Sequence, residues 1–449
     1  MNFQTVCVIG LGYIGLPTAT TFAAYGLRVL GVDINHSILD TLRNGEIHIQ
    51  EPGLRKAFRA ALETGRLTFS EQPALADAFI IAVPTPFYED EYGEVNGIRF
   101  KKADLRAVIA AAEAIVPYLR KGNLVILEST SPPRTTVDVV RPILERSGLK
   151  VGRDVYLAYS PERVLPGRIL QELIENPRVI GGVNPESAQA GRNLYSVFVK
   201  GQIVLTDATT AEMVKLMENT YRDVNIAIAN EFARLAERFG VDVWEAISIA
   251  NLHPRVKILS PGPGVGGHCI SVDPWFFVEA APDLALLIRQ ARQVNDGQPH
   301  FVLELVKRVL GPALAGRRIA VLGLAYKPDV DDLRESPAVE VARRLLREGA
   351  QIKAFEPFKP EGLPDLPCVP ELRQAVQDAE AILLLVRHAS LQALTPERLR
   401  PLTPATVLID TVNGWAGREW ERHGFALYRL GVGSQREETF EAQGASGAG

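Results

Sequence analysis

A short apolar run, Val6 to Ile9, ends in Gly10-Leu11-Gly12-Tyr13-Ile14-Gly15, and Asp33 closes the next apolar run, 18 residues after Gly15. Strand, glycine turn, helix and strand with an acid at its end predict a βαβ unit. The glycines let the backbone turn tightly and bring a pyrophosphate close to a helix N-terminus, while the acid can bind a ribose 2′-hydroxyl. A carboxylate there would repel a 2′-phosphate, so the reading is NAD rather than NADP. The theme returns near residue 316: "GRRIAVLGLAYK" echoes "FQTVCVIGLGYIG", and "AQIKAFEP" echoes "LRVLGVDI". Only one glycine survives in this copy, and a longer loop, "LAYKPDVDDLRESP", precedes the helix marked by Ser336-Pro337. Lys327 and Arg334 offer charged side chains in place of the glycines. That points to a second diphosphate site suited to a nucleotide-sugar; the alternative is a structural repeat that binds nothing.

Between and after these motifs, "AFIIAVPTP" (78–86), "NLVILEST" (123–130) and "DVYLAYSPERV" (154–164) read as further strands, and 102–122 as a helix. Buried strands alternating with helices imply parallel sheets covered on both faces. From about 207 to 239 the pattern becomes one long helix, followed by more helix to about 252 and again around 283–310. On the long helix Leu216, Met217, Val224 and Ile228 form the expected apolar side; Lys215, Asn219 and Arg222, at i, i+4 and i+7, form the opposite one. That polar stripe reads equally as a solvated face or as the wall of a cleft. The expected fold class is α/β, with two Rossmann-like doubly wound domains joined by a central helical domain. The parts are 1–206, 207–310 and 311–430, followed by a small, polar tail (431–449) that reads as disordered.

The chain's 449 residues carry 49 Lys and Arg against 53 Asp and Glu, without a basic block, so nucleic acid is not an expected partner. No apolar run approaches the ~18 residues of a membrane span, and the first residues pass straight into a strand rather than reading as a signal peptide. Three cysteines without CxxC spacing argue against a disulfide framework and against a metal site, and fit a reducing cytoplasm. Cys7 lies inside a strand and Cys368 in a proline-rich loop. Cys269 differs: it follows "GPGVGGH", with Asp273 four residues on. His268 is a possible base beside it. An NAD site, a lysine and a lone thiol fit a four-electron oxidation of an alcohol to an acid. A thiolate holds the aldehyde as a thiohemiacetal, whose oxidation leaves a thioester for water to cleave, and an ammonium steadies the alkoxide.

The segments "VIGLGYIGLP", "AVPTPF", "ILESTSP", "AYSPERVLPG", "NPRVIGG", "AEMVKLMENTYRDVNIAIANE", "HPRVKILSPGPGVGGHCISVDPWF" and "GLAYKPDVDDLRESP" resemble the UDP-glucose/GDP-mannose dehydrogenases over about residues 3–430. The resemblance implies that the central domain dimerises and that the C-terminal one binds the UDP-sugar. It implies Cys269 as nucleophile, Lys215 as acid/base, Asn219 and Asp273 as active-site partners, Glu162 in proton transfer or thioester hydrolysis, and Thr130 near the nicotinamide or the attacking water. For NAD it points to Gly10, Gly12, Tyr13, Ile14, Gly15, Asp33, Thr85, Thr130 and Arg334. For substrate it points to Arg163, Val164, Lys215, Asn219, Arg222, His253, Arg255, Gly266, Tyr326 and Lys327, with Arg255 crossing to the partner subunit's site. The implied enzyme is a cytoplasmic homodimer that oxidises C6 of a UDP-N-acetylhexosamine for surface polysaccharide synthesis. N-acetylmannosamine is the first sugar in line, N-acetylglucosamine and glucose the alternatives. The acidic stretch 88–104 departs from the family pattern. Two rivals are a two-electron hydroxyacid-type dehydrogenase with an inert Cys269, and a non-catalytic nucleotide-sensing module.

Overall fold

A computed structural model describes residues 3–95, 97–165, 167–267 and 269–433. His268 and the tail from 434 lie outside the described residues. The chain divides into two compact units, Met1–Glu218 with Trp275–Ala285, and Asn219–Pro274 with Leu286–Gly449.

The first unit is built on an eight-stranded sheet. Its strands are β1 (Thr5–Ile9), β2 (Arg28–Val32), β3 (Leu67–Ser70), β4 (Ala78–Ile81), β7 (Leu124–Leu127), β8 (Tyr156–Tyr159), β9 (Arg178–Gly182) and β10 (Ile203–Asp207). Their order is β10-β9-β8-β7-β4-β1-β2-β3. The six from β3 to β8 run parallel in the dinucleotide-binding order, with the switch point between β1 and β4. β9 pairs antiparallel with β8, and β10 parallel with β9, so the last two strands run the other way. Alternation along each strand splits the core in two: Val6, Val8, Ile80 and Ile126 pack on one face, Cys7, Ile9, Phe79, Ile81, Val125 and Leu127 on the other. Cys7 is fully buried, and burial pushes its thiol up to about 12.

Between β4 and β7 the acidic stretch forms a hairpin, β5 (Phe87–Val95) with β6 (Ile98–Ala103), which sequence reasoning did not foresee. The expected helix over 102–122 is confined to Arg106–Ile115 and a short 3₁₀ turn. Its first residues are taken by β6. Asp104 then accepts from Arg106 N at 3.0 Å as the chain turns into the helix. Phe87 meets Phe276 edge-on at 5.5 Å, and Glu279 accepts from Ala103 N at 2.9 Å.

The second unit carries five parallel strands, β11 (Arg318–Leu322), β12 (Gln351–Phe355), β13 (Ala381–Leu384), β14 (Val407–Asp410) and β15 (Ala426–Arg429), in the order β12-β11-β13-β14-β15. Ile319, Val321 and Leu383 face one core, Ala320, Leu322, Ile382 and Leu384 the other. Ser336 caps the helix Pro337–Arg347 through Ala338 N, as its sequence predicts.

The long helix spans Ala208–Phe239, and its faces reverse the expectation. Leu216 is buried, but Met217 and Ile228 are exposed, while Lys215 and Asn219 of the polar stripe are buried; Arg222 is exposed. Glu212, Asp223 and Asn230 are fully buried too. Each has partners: Glu212 accepts from Thr136 N, Asp223 from Arg292 and Asn295, and Asn230 from Gly262 N. Paired polar groups can replace apolar ones inside. Meanwhile Tyr221, Ile228, Phe232, Leu235 and Phe239 are exposed at spacings of seven, four, three and four residues.

Candidate functional site

In the first unit, Gly10 leaves β1 with φ +92°, and a Cβ there would stand 2.5 Å from Ala82 O. A Cβ on Gly15 would stand 1.8 Å from Gly10 O, so only glycine lets the helix Gly15–Ala24 begin so close to β1. A Cβ on Gly12 would meet nothing within 4 Å. The turn is therefore packed shut on its inner side and open at Gly12. The helix N-cap, Ile14, provides no side-chain acceptor, and its first turn has no acid. Its N–H groups and dipole suit an anion. Asp33, just beyond β2, is half-buried and accepts from Leu11 N and Asn35 N, both at 2.9 Å. This cradle fits NAD: glycine backbone for the pyrophosphate, a carboxylate at the ribose position. Tyr13 is half-buried against the adjoining core.

The loops at the carboxyl ends of neighbouring strands are tied together. Thr85 Oγ1 donates to Thr130 O at 2.5 Å, and Ser129 Oγ donates to Val83 O at 2.7 Å. After β8, Glu162 pairs with Arg178 and accepts from Arg163 N at 2.8 Å. Arg163 reaches Glu218 at 2.5 Å and Pro177 O, and Val164 packs on the core. Lys215 belongs to this unit and is buried.

In the second unit, Asn219 Nδ2 donates to Asp273 Oδ2 at 2.6 Å, both residues being buried. Cys269 is exposed, and its carbonyl accepts from Val272 N at 3.1 Å and Asp273 N at 2.8 Å. That turn sets the thiol just before the helix Asp273–Ala280. The glycines ahead of it permit close contact with the loop after β11. A Cβ on Gly266 would lie 2.4 Å from Glu335 O, and one on Gly267 2.7 Å from the Tyr326 ring. Gly267 N donates to Arg334 O at 3.3 Å. Cys269, Asp273, Asn219, Gly266, Tyr326 and Arg334 thus share one neighbourhood, held in part by Asn230, which bonds both Gly262 N and Asn295. Lys327 lies 5.6 Å from the Tyr326 ring centre, and Arg334 forks onto Asp332 at 2.7–2.8 Å. Arg222 is exposed. His253 and Arg255 are exposed on a loop closed by Asn251, where His253 Nδ1 accepts from Arg255 N at 3.3 Å.

Sequence reasoning missed residues that hold these loops. Glu51 accepts from Gly167 N and Ile169 N, each at 2.8 Å, and so fastens the end of the segment "ERVLPG". Its signal was the acid of "EPGL", which carries no meaning until the chain is folded. Arg178, of "NPRVIGG", likewise stood out only as part of a resemblance.

Three sections of the chain match the domains of one family: residues 4–199 the UDP-glucose/GDP-mannose dehydrogenase NAD binding domain, 209–297 its central domain and 320–416 its UDP binding domain. A UDP-N-acetyl-D-mannosamine dehydrogenase of Methanocaldococcus jannaschii is 46% identical over 433 residues, covering 96% of this chain and 97% of that protein. An NDP-N-acetyl-D-galactosaminuronic acid dehydrogenase of Ralstonia solanacearum is 47% identical over 438 residues, covering 93% and 98%. The solved structure of a UDP-D-ManNAc dehydrogenase from Pyrococcus horikoshii superimposes with a TM-score of 0.87 at 39% identity, covering 96% and 99%. The chain belongs to the UDP-glucose/GDP-mannose dehydrogenase family.

Proposed function

We propose that this protein oxidises C6 of UDP-N-acetyl-D-mannosamine to the carboxylate in two successive two-electron steps. The observation that carries the reading is the exposed Cys269 set one turn before the buried Asp273–Asn219 pair. NAD, bound at the turn from Gly10 to Gly15, supplies the hydride acceptor for each oxidation. Lys215 takes the proton of the C6 hydroxyl and holds the alkoxide, with Asn219 donating a second hydrogen bond. Cys269 Sγ then bonds to the aldehyde carbon, and the thiohemiacetal becomes a thioester at the second oxidation. Water cleaves it, with Glu162 accepting the proton and Thr130 steadying the water; Asp273 keeps Asn219 in place.

The same reading assigns Thr85, Tyr13, Ile14 and Arg334 to NAD, and Arg163, Val164, Arg222, His253, Gly266, Tyr326 and Lys327 to the UDP-sugar. It divides the chain at 206 and 310 into NAD-binding, helical and UDP-sugar parts. A second copy covers the stripe Tyr221, Ile228, Phe232, Leu235, Phe239, whose heptad-like spacing is that of a helix packed on a helix, and Arg255 serves that copy's site. No helix among the described residues is long and apolar enough to cross a membrane; the reading places the enzyme in the cytoplasm.

One assay tests the sugar: turnover of UDP-N-acetylmannosamine, UDP-N-acetylgalactosamine, UDP-N-acetylglucosamine and UDP-glucose, with NADH counted per sugar. The expected result is fastest use of the manno sugar at two NADH each. Rapid use of another with none of the manno sugar would overturn the assignment; the Ralstonia relative makes the galacto sugar the second reading. A Cys269→Ser variant that still delivers carboxylate at full rate would overturn the chemistry. Phe232→Glu is expected to yield monomers by light scattering.

A further inference from the structure

The first unit buries a charge cluster around Glu162 whose other members, Arg178, Glu128 and Tyr195, have no part in the chemistry above. Arg178 opens β9 with its side chain 4% exposed; Glu128 directly follows β7 and is fully buried. Because β9 runs against β8, its first residue arrives at the carboxyl end of the parallel strands, where the site loops are. The register pairs Ala158 with Gly182 and Tyr159 with Gly181, and continued outward it sets residue 162 opposite 178. Reversal of one strand thus delivers a guanidinium to the loop that carries Glu162.

One Arg178 nitrogen, Nη2, pairs with Glu162 Oε2. The other, Nη1, donates to Ser160 Oγ at 3.1 Å and to Glu128 Oε1 at 3.4 Å. The guanidinium lies 4.1 Å from the centre of the Tyr195 ring, and the Tyr195 hydroxyl donates to Glu128 Oε1 at 2.5 Å. Glu128 Oε2 has no hydrogen-bond partner among the described residues. Glu162 lines a small cleft with Arg163, Asn176 and Arg178. We propose that Arg178 is a positioning residue: it fixes the Glu162 carboxylate toward the water that cleaves the thioester, and Glu128 with Tyr195 locks the guanidinium in that orientation.

The inference rests on the role given to Glu162 above. In that step the water oxygen bonds to C6, Glu162 takes a proton from the water, and the C6–Sγ bond breaks to release the Cys269 thiolate; no electrons are transferred to an acceptor. Two carboxylates share one guanidinium, which leaves a surplus negative charge in a buried place. Burial, opposed by Arg178 and aided by Glu162, pushes the Glu128 carboxyl up to about 7. The groups facing Glu128 are Arg178 from β9, Glu162 from the loop after β8 and Tyr195 from the helix Pro185–Tyr195. Once Glu128 ionises, it competes with Glu162 for Arg178.

The test compares full-length Arg178→Met, Arg178→Lys, Glu162→Gln and the Arg178→Met/Glu162→Gln double variant. The readouts are the NADH burst, steady-state kcat and KM, and the covalent adduct on quenched protein by intact mass. Arg178→Met is expected to lower kcat about 100-fold, the scale of losing a positioned proton acceptor. The burst and both KM values stay within about threefold, and the adduct accumulates. Arg178→Lys recovers part of the loss, since it keeps the charge without the fork. The double variant is no slower than Glu162→Gln. A folded Arg178→Met that hydrolyses normally, or that slows burst and hydrolysis alike, would overturn the positioning while leaving a slow Glu162→Gln and its role intact. A normal Glu162→Gln would overturn both. Should Arg178→Met not fold, the isosteric Glu128→Gln decides: the parent's hydrolysis rate is expected to fall as Glu128 ionises and the variant's is not, and a variant pH profile identical to the parent's overturns the proposal.

Discussion

Gly10 N donates to Val32 O at 2.8 Å in the first doubly wound half, and Gly323 N donates to Phe355 O at 2.9 Å in the second. Both glycines hold a positive φ, +92° and +86°. Beyond them the halves part. Gly12 and Gly15 have Ala325 and Pro328 at the same offsets, and the helix that begins at Gly15 in one half waits until Pro337 in the other. The acids at the ends of the second strands share two contacts and differ in burial and in what else they hold. Asp33 spends one oxygen on Leu11 N and the other on Asn35 N, and stays half-buried. Glu356 accepts in the same way, from Leu324 N at 2.7 Å and Phe358 N at 3.1 Å, but it is fully buried, accepts also from Ala325 N at 2.9 Å and lies 3.1 Å from His388 Nε2. The third strand, β3 in the first half, is reduced in the second to a bridge between Ala354 and Cys368. One scaffold therefore leaves its acid half-buried beside the glycine turn, and the other buries its acid under a longer loop with an added N–H and a histidine as partners.

Replacing Gly15 with valine should have the largest effect on this contrast. A Cβ 1.8 Å from Gly10 O cannot be relieved by a side chain, so the turn itself must open. NAD binding is expected to fall by at least about 1000-fold, the scale of several lost charge-assisted hydrogen bonds. Calorimetry should find UDP binding unchanged within a few-fold. If NAD still binds tightly, the packed glycine turn is not the cofactor's cradle.

The two acids give the next effects, in opposite currencies. Glu356→Ala leaves three backbone N–H groups, of Leu324, Ala325 and Phe358, and His388 without their acceptor and should cost about 2–4 kcal/mol of stability by urea unfolding. Burial alone would raise the Glu356 carboxyl, but His388 and the loop N–H groups together bring it below its usual value. Its stabilisation is therefore present above the unfolded-state value and is lost as pH falls through the folded one. The parent should lose stability below about pH 4.5 more steeply than Glu356→Gln does. Asp33→Ala, by contrast, should leave the melting temperature within a few degrees and raise the KM for NAD about tenfold, roughly 1.4 kcal/mol. It should also weaken the preference over NADP. Equal stability losses for both acids would erase the distinction drawn here.

The opening βαβ unit was legible because every part of it is local: a buried run, three glycines, an acid at the right distance. Glu356 escaped notice because the lengthened loop moves it away from that spacing. The hairpin over Phe87–Ala103 was hidden by acids, lysines and arginines that make a poor strand signal, although Phe87 and Phe100 anchor it. On the long helix the apolar side was read as the inside, an assumption that fails when buried polar groups are paired. Asn219 has Asp273, and Asp223 has Arg292 and Asn295. Phe232 and Phe239, which hydropathy would bury, are left outside. Arg178 was illegible for a topological reason: only the reversal of β9 gives it a place among the loops.

The smallest effect belongs to Gly12→Ala. Gly12 is exposed, a Cβ there would touch nothing within 4 Å, and its φ is not positive, so neither strain nor collision follows in the protein alone. Any penalty must come from what approaches the turn. The variant should melt at the parent's temperature and bind NAD several-fold more weakly, about 1 kcal/mol for a methyl group set between a backbone and a pyrophosphate. The matching residue of the second half, Ala325, already carries that methyl group and is buried. Ala325→Gly should therefore gain no NAD affinity and should cost about 1–2 kcal/mol of stability, through the freer unfolded chain and the lost packing of a buried methyl. If Gly12→Ala bound NAD as well as the parent, the open side of the first turn would not be where the cofactor's phosphates come closest.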